Sequence, residues 1–170
     1  TRDGQIDVRA RVGKSGGAYC SSNVGSPTLV LLNHVDDFKS LMTLAHEMGH
    51  AVHAEMSKKQ PTIYQGHTIS VAETASTLFE SLVFEKVLMT LTPREQIVAL
   101  HDRLNSDIST VFRQIAFFNF ELELHKSIRE KGKLTKEEIA SLLNKHMSAY
   151  LGPTVKMEEL DGNFFILVSH

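Results

Sequence analysis

A chain of 170 residues, 42% hydrophobic and 22% charged, has the length and composition of an ordinary globular domain with a substantial core. Its 18 basic and 20 acidic side chains leave a net charge of −2, with no basic stripe that would suit nucleic acid or an anionic membrane. A single cysteine, Cys20, excludes an internal disulfide and a cysteine-built zinc site and fits a reducing compartment; no apolar run approaches the ~20 residues of a membrane helix, and no basic-then-apolar pattern of a signal peptide is read in these residues.

Residues 1–27 are rich in Gly and Ser and read as loop, with one short strand over Ile6 to Val12, where polarity alternates. After Pro27, the apolar run Thr28 to Leu32 reads as a second strand. From Asp36 to about Lys58, Phe38, Leu41, Met42, Ala45, Met48 and Val52 recur at helical spacing, with Asp36 or Asp37 as the N-cap. Pro61 and Gly66 place a loop over 59–68, and a second helix follows from Ser70 to Met89. Thr92-Pro93-Arg94-Glu95 forms a capping box that opens a long helical stretch, expected to break near Asn105, to reach Lys131 and to stop at Gly132. A second capping box, Thr135 to Glu138, opens a helix ending near Tyr150. The expected class is mainly α with a small β element near the N-terminus, in one domain or part of one. Both ends look cut: the chain opens at Thr1 and closes on the apolar run Phe164 to Val168, then Ser169 and His170. That run is expected to need burial, or to self-associate if left exposed.

The first helix carries His46-Glu47-Met48-Gly49-His50. Four residues turn an α-helix by about 400°, so the two imidazoles differ by roughly 40° and ~6 Å of rise and can reach one ion. Glu47 lies about 100° round from His46, beside the metal and not on it. Zinc suits such ligands and lowers the pKa of a water to near 7, and Glu47 can take that water's proton. Gly49 would let another element approach the helix backbone closely.

A third ligand has to come from elsewhere. His53 shares the face of His46 but lies ~10.5 Å along the axis, too far to share the ion, and reads as a packing or supporting histidine. His34 and His67 are weaker candidates. Glu73 is better: with Ser76, Thr77 and Glu80 it makes one polar stripe on an otherwise apolar helix, and buried carboxylates are costly unless paired or on a metal. Glu80, two turns on, can accept the N–H of a ligand histidine. Zinc-dependent hydrolysis, a zinc-stabilised but inactive peptide- or protein-binding domain, and a chance motif on a structural helix are the three readings these residues leave open.

Five stretches, in this order, extend the pattern: Gly17-Ala18-Tyr19-Cys20, Leu31-Leu32-Asn33, Thr43 through His53, Val71 through Thr77, and Phe112-Arg113-Gln114 through Glu123. In them the chain resembles the oligoendopeptidase F branch of the thimet-oligopeptidase-like zinc metallopeptidases. The resemblance implies a zincin-like helical core around a cleft and cytosolic cleavage of short peptides. It implies one Zn²⁺ on His46, His50 and Glu73, with Glu47 as base. It also makes Thr28–His34 the edge strand of a small sheet, with Leu31, Leu32 and Asn33 hydrogen-bonding the substrate backbone, and it gives His170 a part in holding the oxyanion. Residues 1–170 then form part of a catalytic domain, without the family's preceding helical region and following tyrosine-bearing helices, and weak hydrolysis is expected of this segment alone.

Overall fold

Asp37 starts the helix on which the site is built: its carboxylate accepts the Ser40 N–H at 2.7 Å, and α1 runs Phe38–Ser57. In a computed structural model describing residues 4–167, this helix packs on a three-stranded sheet of β1 (Ile6–Arg9), β2 (Tyr19–Ser21) and β3 (Leu29–His34). Alternation along β3 turns Val30 (3% exposed) and Leu32 (1%) toward α1, where they join Ala51 and Leu44, with Ile6, Ala18 and Cys20 around them. Each fully buried side chain of this kind stabilises the fold by roughly 1.5–3 kcal/mol.

The strand order is β1-β3-β2, with β1 parallel and β2 antiparallel to β3. This corrects the expectation for Thr28–His34. β3 is the central strand, and among the described residues the sheet's edges are β1 and β2. The first strand is also shorter than expected. Between Asp7 and Arg9 its register on β3 slips, and pairing ends before Val12, which is fully exposed. β2 was not foreseen, because three residues after a Gly pair carry no readable period.

Following α1 comes α2 (Ile69–Leu88), one residue earlier at each end than the periodicity indicates. These elements belong to one compact unit, Thr1–Thr92, and Pro93–His170 forms a second. In the second unit α3 runs unbroken over Pro93–Lys131. The expected break near Asn105 is absent: no Gly or Pro interrupts the interior, and the Asn105 amide turns to the His101 ring one turn back. α4 (Lys136–Leu151) opens with both bonds of the Thr135–Glu138 capping box. It packs on α3, where Lys145 Nζ and His146 Nε2 reach the Glu123 carboxylate at 2.6 and 2.7 Å. A 3₁₀ segment, Glu159–Leu167, lies on α4, with Gly162 pressed against the Ala140 backbone. Phe164, Ile166 and Leu167 on it are 50–71% exposed, so this part of the terminal apolar run is uncovered; Val168 lies outside the described residues. No described helix is long and apolar enough to cross a membrane.

Candidate metal centre

Two helices, α1 and α2, cross where neither has a bulky side chain. A Cβ placed on Gly49 would sit 2.6 Å from the Ser76 Cα and 2.8 Å from the Ala75 carbonyl oxygen, so only glycine fits. Ser76 is fully buried at this point. The close approach brings the residues flanking Gly49 on α1 against those flanking Ser76 on α2. Glu73 Oε2 comes 3.2 Å from His46 Nε2 and 3.7 Å from His50 Nε2. The two imidazoles stand edge to face, 4.9 Å apart. One ligand atom from each of His46, His50 and Glu73 lies within 4.8 Å of the other two.

The stripe on α2 holds this arrangement. Ser76 Oγ donates to Glu73 Oε2 at 2.9 Å, which limits the rotamers open to that carboxylate. Glu80 Oε2 lies 3.3 Å from His46 Nδ1, so a proton on Nδ1 leaves Nε2 with its lone pair facing Glu73 and His50. That hydrogen bond is the main reason the His46 pKa is raised, with burial opposing it. Burial instead lowers the pKa of His50, which favours the neutral imidazole a metal needs.

Glu47 is not one of the three converging residues. It is 7% exposed, and its Oε2 is buried with no hydrogen-bond partner. Burial raises its pKa; the His46 charge opposes this and the Glu73 charge adds to it. A buried, unpartnered carboxylate oxygen is costly in a merely structural helix. Two nitrogen donors and one carboxylate, with further carboxylates on Glu47 and Glu80 beside them, suit a dication such as zinc. The donor set therefore fits the metal implied by the sequence.

Other expected residues fall differently. The His53 and His67 rings lie together with centroids 4.4 Å apart and planes tilted by 36°, and neither joins the three converging residues; nor does His34, whose Nε2 faces Asp36 at 3.3 Å. Leu31, Leu32 and Asn33 do not lie on an edge strand as expected, although β2 pairs with β3 only as far as Leu31. Leu31 is paired to Asp7 on one side and Tyr19 on the other, Leu32 is core, and the Asn33 amide donates to the Ser15 and Gly17 carbonyls, each at 2.8 Å. His170 lies outside the described residues. Ser76 is the functional side chain least visible beforehand; its signal is the i, i+3 spacing from Glu73 on the helix that meets Gly49.

The family model of Peptidase family M3 matches residues 1–170. The chain belongs to peptidase family M3. The resemblance to oligoendopeptidase F is thus upheld, and M3 peptidases are metallopeptidases. The chain is 36% identical over 153 residues to the chromosomal oligoendopeptidase F of Lactococcus lactis subsp. cremoris, a match covering 89% of this chain and 25% of that protein. It is 34% identical over 167 residues to oligopeptidase PepF of Bacillus subtilis (strain 168), covering 97% of this chain and 25% of that protein. Among solved structures, one from Chlamydophila abortus superposes with a TM-score of 0.69 at 31% identity, covering 98% of this chain and 28% of the other. This M3 chain therefore spans about a quarter of the length of these relatives.

Proposed function

We propose that this chain carries the catalytic centre of a zinc-dependent endopeptidase that hydrolyses short peptides. The observation that supports it most is the buried, unpartnered Oε2 of Glu47, the residue that follows His46, whose ligand atom converges with those of His50 and Glu73. A site that only bound metal for stability, or only bound peptide, would have no use for that oxygen.

In this reading His46, His50 and Glu73 hold one zinc ion, and Glu80 fixes the His46 tautomer. Zinc held there would supply Lewis-acid polarisation of water and of the scissile carbonyl. Glu47, kept out of bulk water, accepts a proton from the water that attacks the carbonyl carbon. It then passes that proton to the amine nitrogen as the C–N bond breaks. His170 contributes a donor to the oxyanion. An extended substrate backbone would run along the outer edge of β2, over Tyr19–Ser21, which among the described residues is an edge of the sheet. We place the enzyme in the cytoplasm, with residues 1–170 as part of its catalytic domain. The exposed apolar segment near Phe164 to Leu167 is the surface through which an isolated chain would self-associate.

Substrate size gives the test. A polypeptide of the relatives' length containing these residues should cleave a flexible ten-residue peptide, while the same sequence inside a folded protein should resist. Equal cleavage of both would contradict a reading based on short peptides. Metal bound with no cleavage of any peptide would favour a zinc-stabilised binding domain.

A further inference from the structure

β1 and β3 do not pair residue for residue. Asp7 lies beside Leu31 and Arg9 beside His34, so two steps along β1 correspond to three along β3. β3 therefore carries one extra residue over Leu32–Asn33, a bulge that takes backbone groups out of the ladder. Lys14 fills the breach. Its side chain is 2% exposed, and its ammonium donates to the carbonyls of Asp7 (3.1 Å), Arg9 (2.9 Å) and Leu32, with the Asp7 carboxylate also at 3.1 Å. Three carbonyls around the bulge, from both strands, thus meet the three protons of one ammonium.

A buried ammonium is a costly way to complete a sheet, because regular pairing satisfies the same carbonyls without taking a charge out of water. What the bulge and its lysine add is a grip on the loop before β2. From the bulge, the Asn33 amide donates to the Ser15 and Gly17 carbonyls, each at 2.8 Å. The loop is therefore tied at Lys14 and again at Ser15 and Gly17. Side-chain packing does not fix this stretch: a Cβ built on Gly16 or Gly17 would meet nothing within 4 Å, and Gly17 is at φ +79°.

The tied loop leads to the proposed site. Gly17 and Ala18 border a cavity of about 450 Å³ that Glu47 borders from α1. β2 follows directly, at Tyr19, and packs on the same helix. A shift of Ser15–Gly17 would move the start of the β2 edge relative to Glu47.

Resting on the endopeptidase reading, with the substrate backbone along β2, we propose that Lys14 and Asn33 are positioning residues that hold the loop Ser15–Ala18 rigid, so that the β2 edge is preformed for an extended peptide. Neither touches the substrate. Without them the loop moves in the free protein, and binding has to order it. Fixing even one released residue costs about tenfold in affinity.

The test uses a polypeptide of the relatives' length containing these residues. Lys14→Met keeps the length of the side chain and removes its donors, and Asn33→Ala removes the second tie. In each, KM for a flexible decapeptide should rise at least tenfold, while kcat stays within a few-fold and zinc content is unchanged. The Kd of the same peptide, measured by calorimetry on zinc-loaded protein that also carries Glu47→Gln, should rise with it. Amide hydrogen exchange over residues 15–21 should be faster in both variants before peptide is added. A lysine with only a structural part would lower the urea midpoint and leave KM and Kd where they were. Unchanged KM and Kd in the folded variants, or a fall in kcat or zinc content with KM unchanged, would overturn the proposal and leave the endopeptidase reading standing. If Lys14→Met does not fold, Asn33→Ala decides by the same measures. A raised Kd in the variants of a protein that hydrolyses no peptide would uphold the positioning and overturn the endopeptidase reading.

Discussion

Glu47→Gln should abolish most peptide hydrolysis while leaving fold and metal content unchanged. The amide is nearly isosteric with the carboxylate, and Glu47 is not among the three converging ligand residues. What it loses is the lone-pair basicity that burial strengthens, since burial is the main cause of Glu47's raised pKa. General-base steps contribute roughly 10²–10⁴-fold, so kcat should fall by at least a hundredfold. KM should change little, because the group acts on water and not on the bound peptide in its ground state. Steady-state kinetics on one peptide, with metal analysis and circular dichroism of the same preparation, checks all three expectations. Turnover within a few-fold of the unsubstituted protein would remove Glu47 from the role assigned to it.

Gly49→Ala should damage the site from a position that touches no ligand. The new methyl would meet backbone atoms, the Ser76 Cα at 2.6 Å and the Ala75 carbonyl oxygen at 2.8 Å, which cannot turn aside as a side chain can. The helices have to separate by several tenths of an ångström or more. Overpacking of this kind costs about 1–3 kcal/mol, against the ~1 kcal/mol that alanine gains over glycine inside a helix. Separation also carries Glu73 away from His46 and His50, so metal affinity should fall by tenfold or more. Gly16→Ala is the control: nothing lies within 4 Å of its added methyl and its φ is not positive, so stability and metal binding should be unchanged. Urea denaturation and competitive metal titration measure the two effects. If Gly49→Ala matches Gly16→Ala in both, the close crossing is not what builds the site.

Much of this was legible because the relevant features are local. The period of Phe38 to Val52 marks α1, and the stripe Glu73, Ser76, Thr77, Glu80 marks α2 as a helix with something polar to face. The His46–Glu47–His50 spacing then follows from helix geometry alone. What escaped the sequence depends on pairing between distant segments. Whether β3 is central or an edge is decided by β1 and β2, which add strands on both sides, and a three-residue strand such as Tyr19–Ser21 has no period to read. Lys14 donates to the Arg9 carbonyl and Asn33 to the Ser15 carbonyl across the loop before β2, and neither contact has a sequence signature. At Asn105 a modest helix propensity suggested a break, but the uninterrupted helical context prevailed.

The central claim is that His46, His50 and Glu73 form one metal site, and metal content measures it most directly. Purified chain should hold one zinc per molecule at neutral pH, with X-ray absorption giving nitrogen and oxygen neighbours at roughly 2.0–2.2 Å and no sulfur shell. Zinc should be released on acidification, because protons compete for the imidazoles and the Glu80 hydrogen bond holds His46's proton to a raised pKa. His46→Ala, His50→Ala and Glu73→Ala should each lose the metal while remaining helical by circular dichroism. Full zinc retained in any one of the three, or a sulfur ligand in the spectrum, would contradict the site as described.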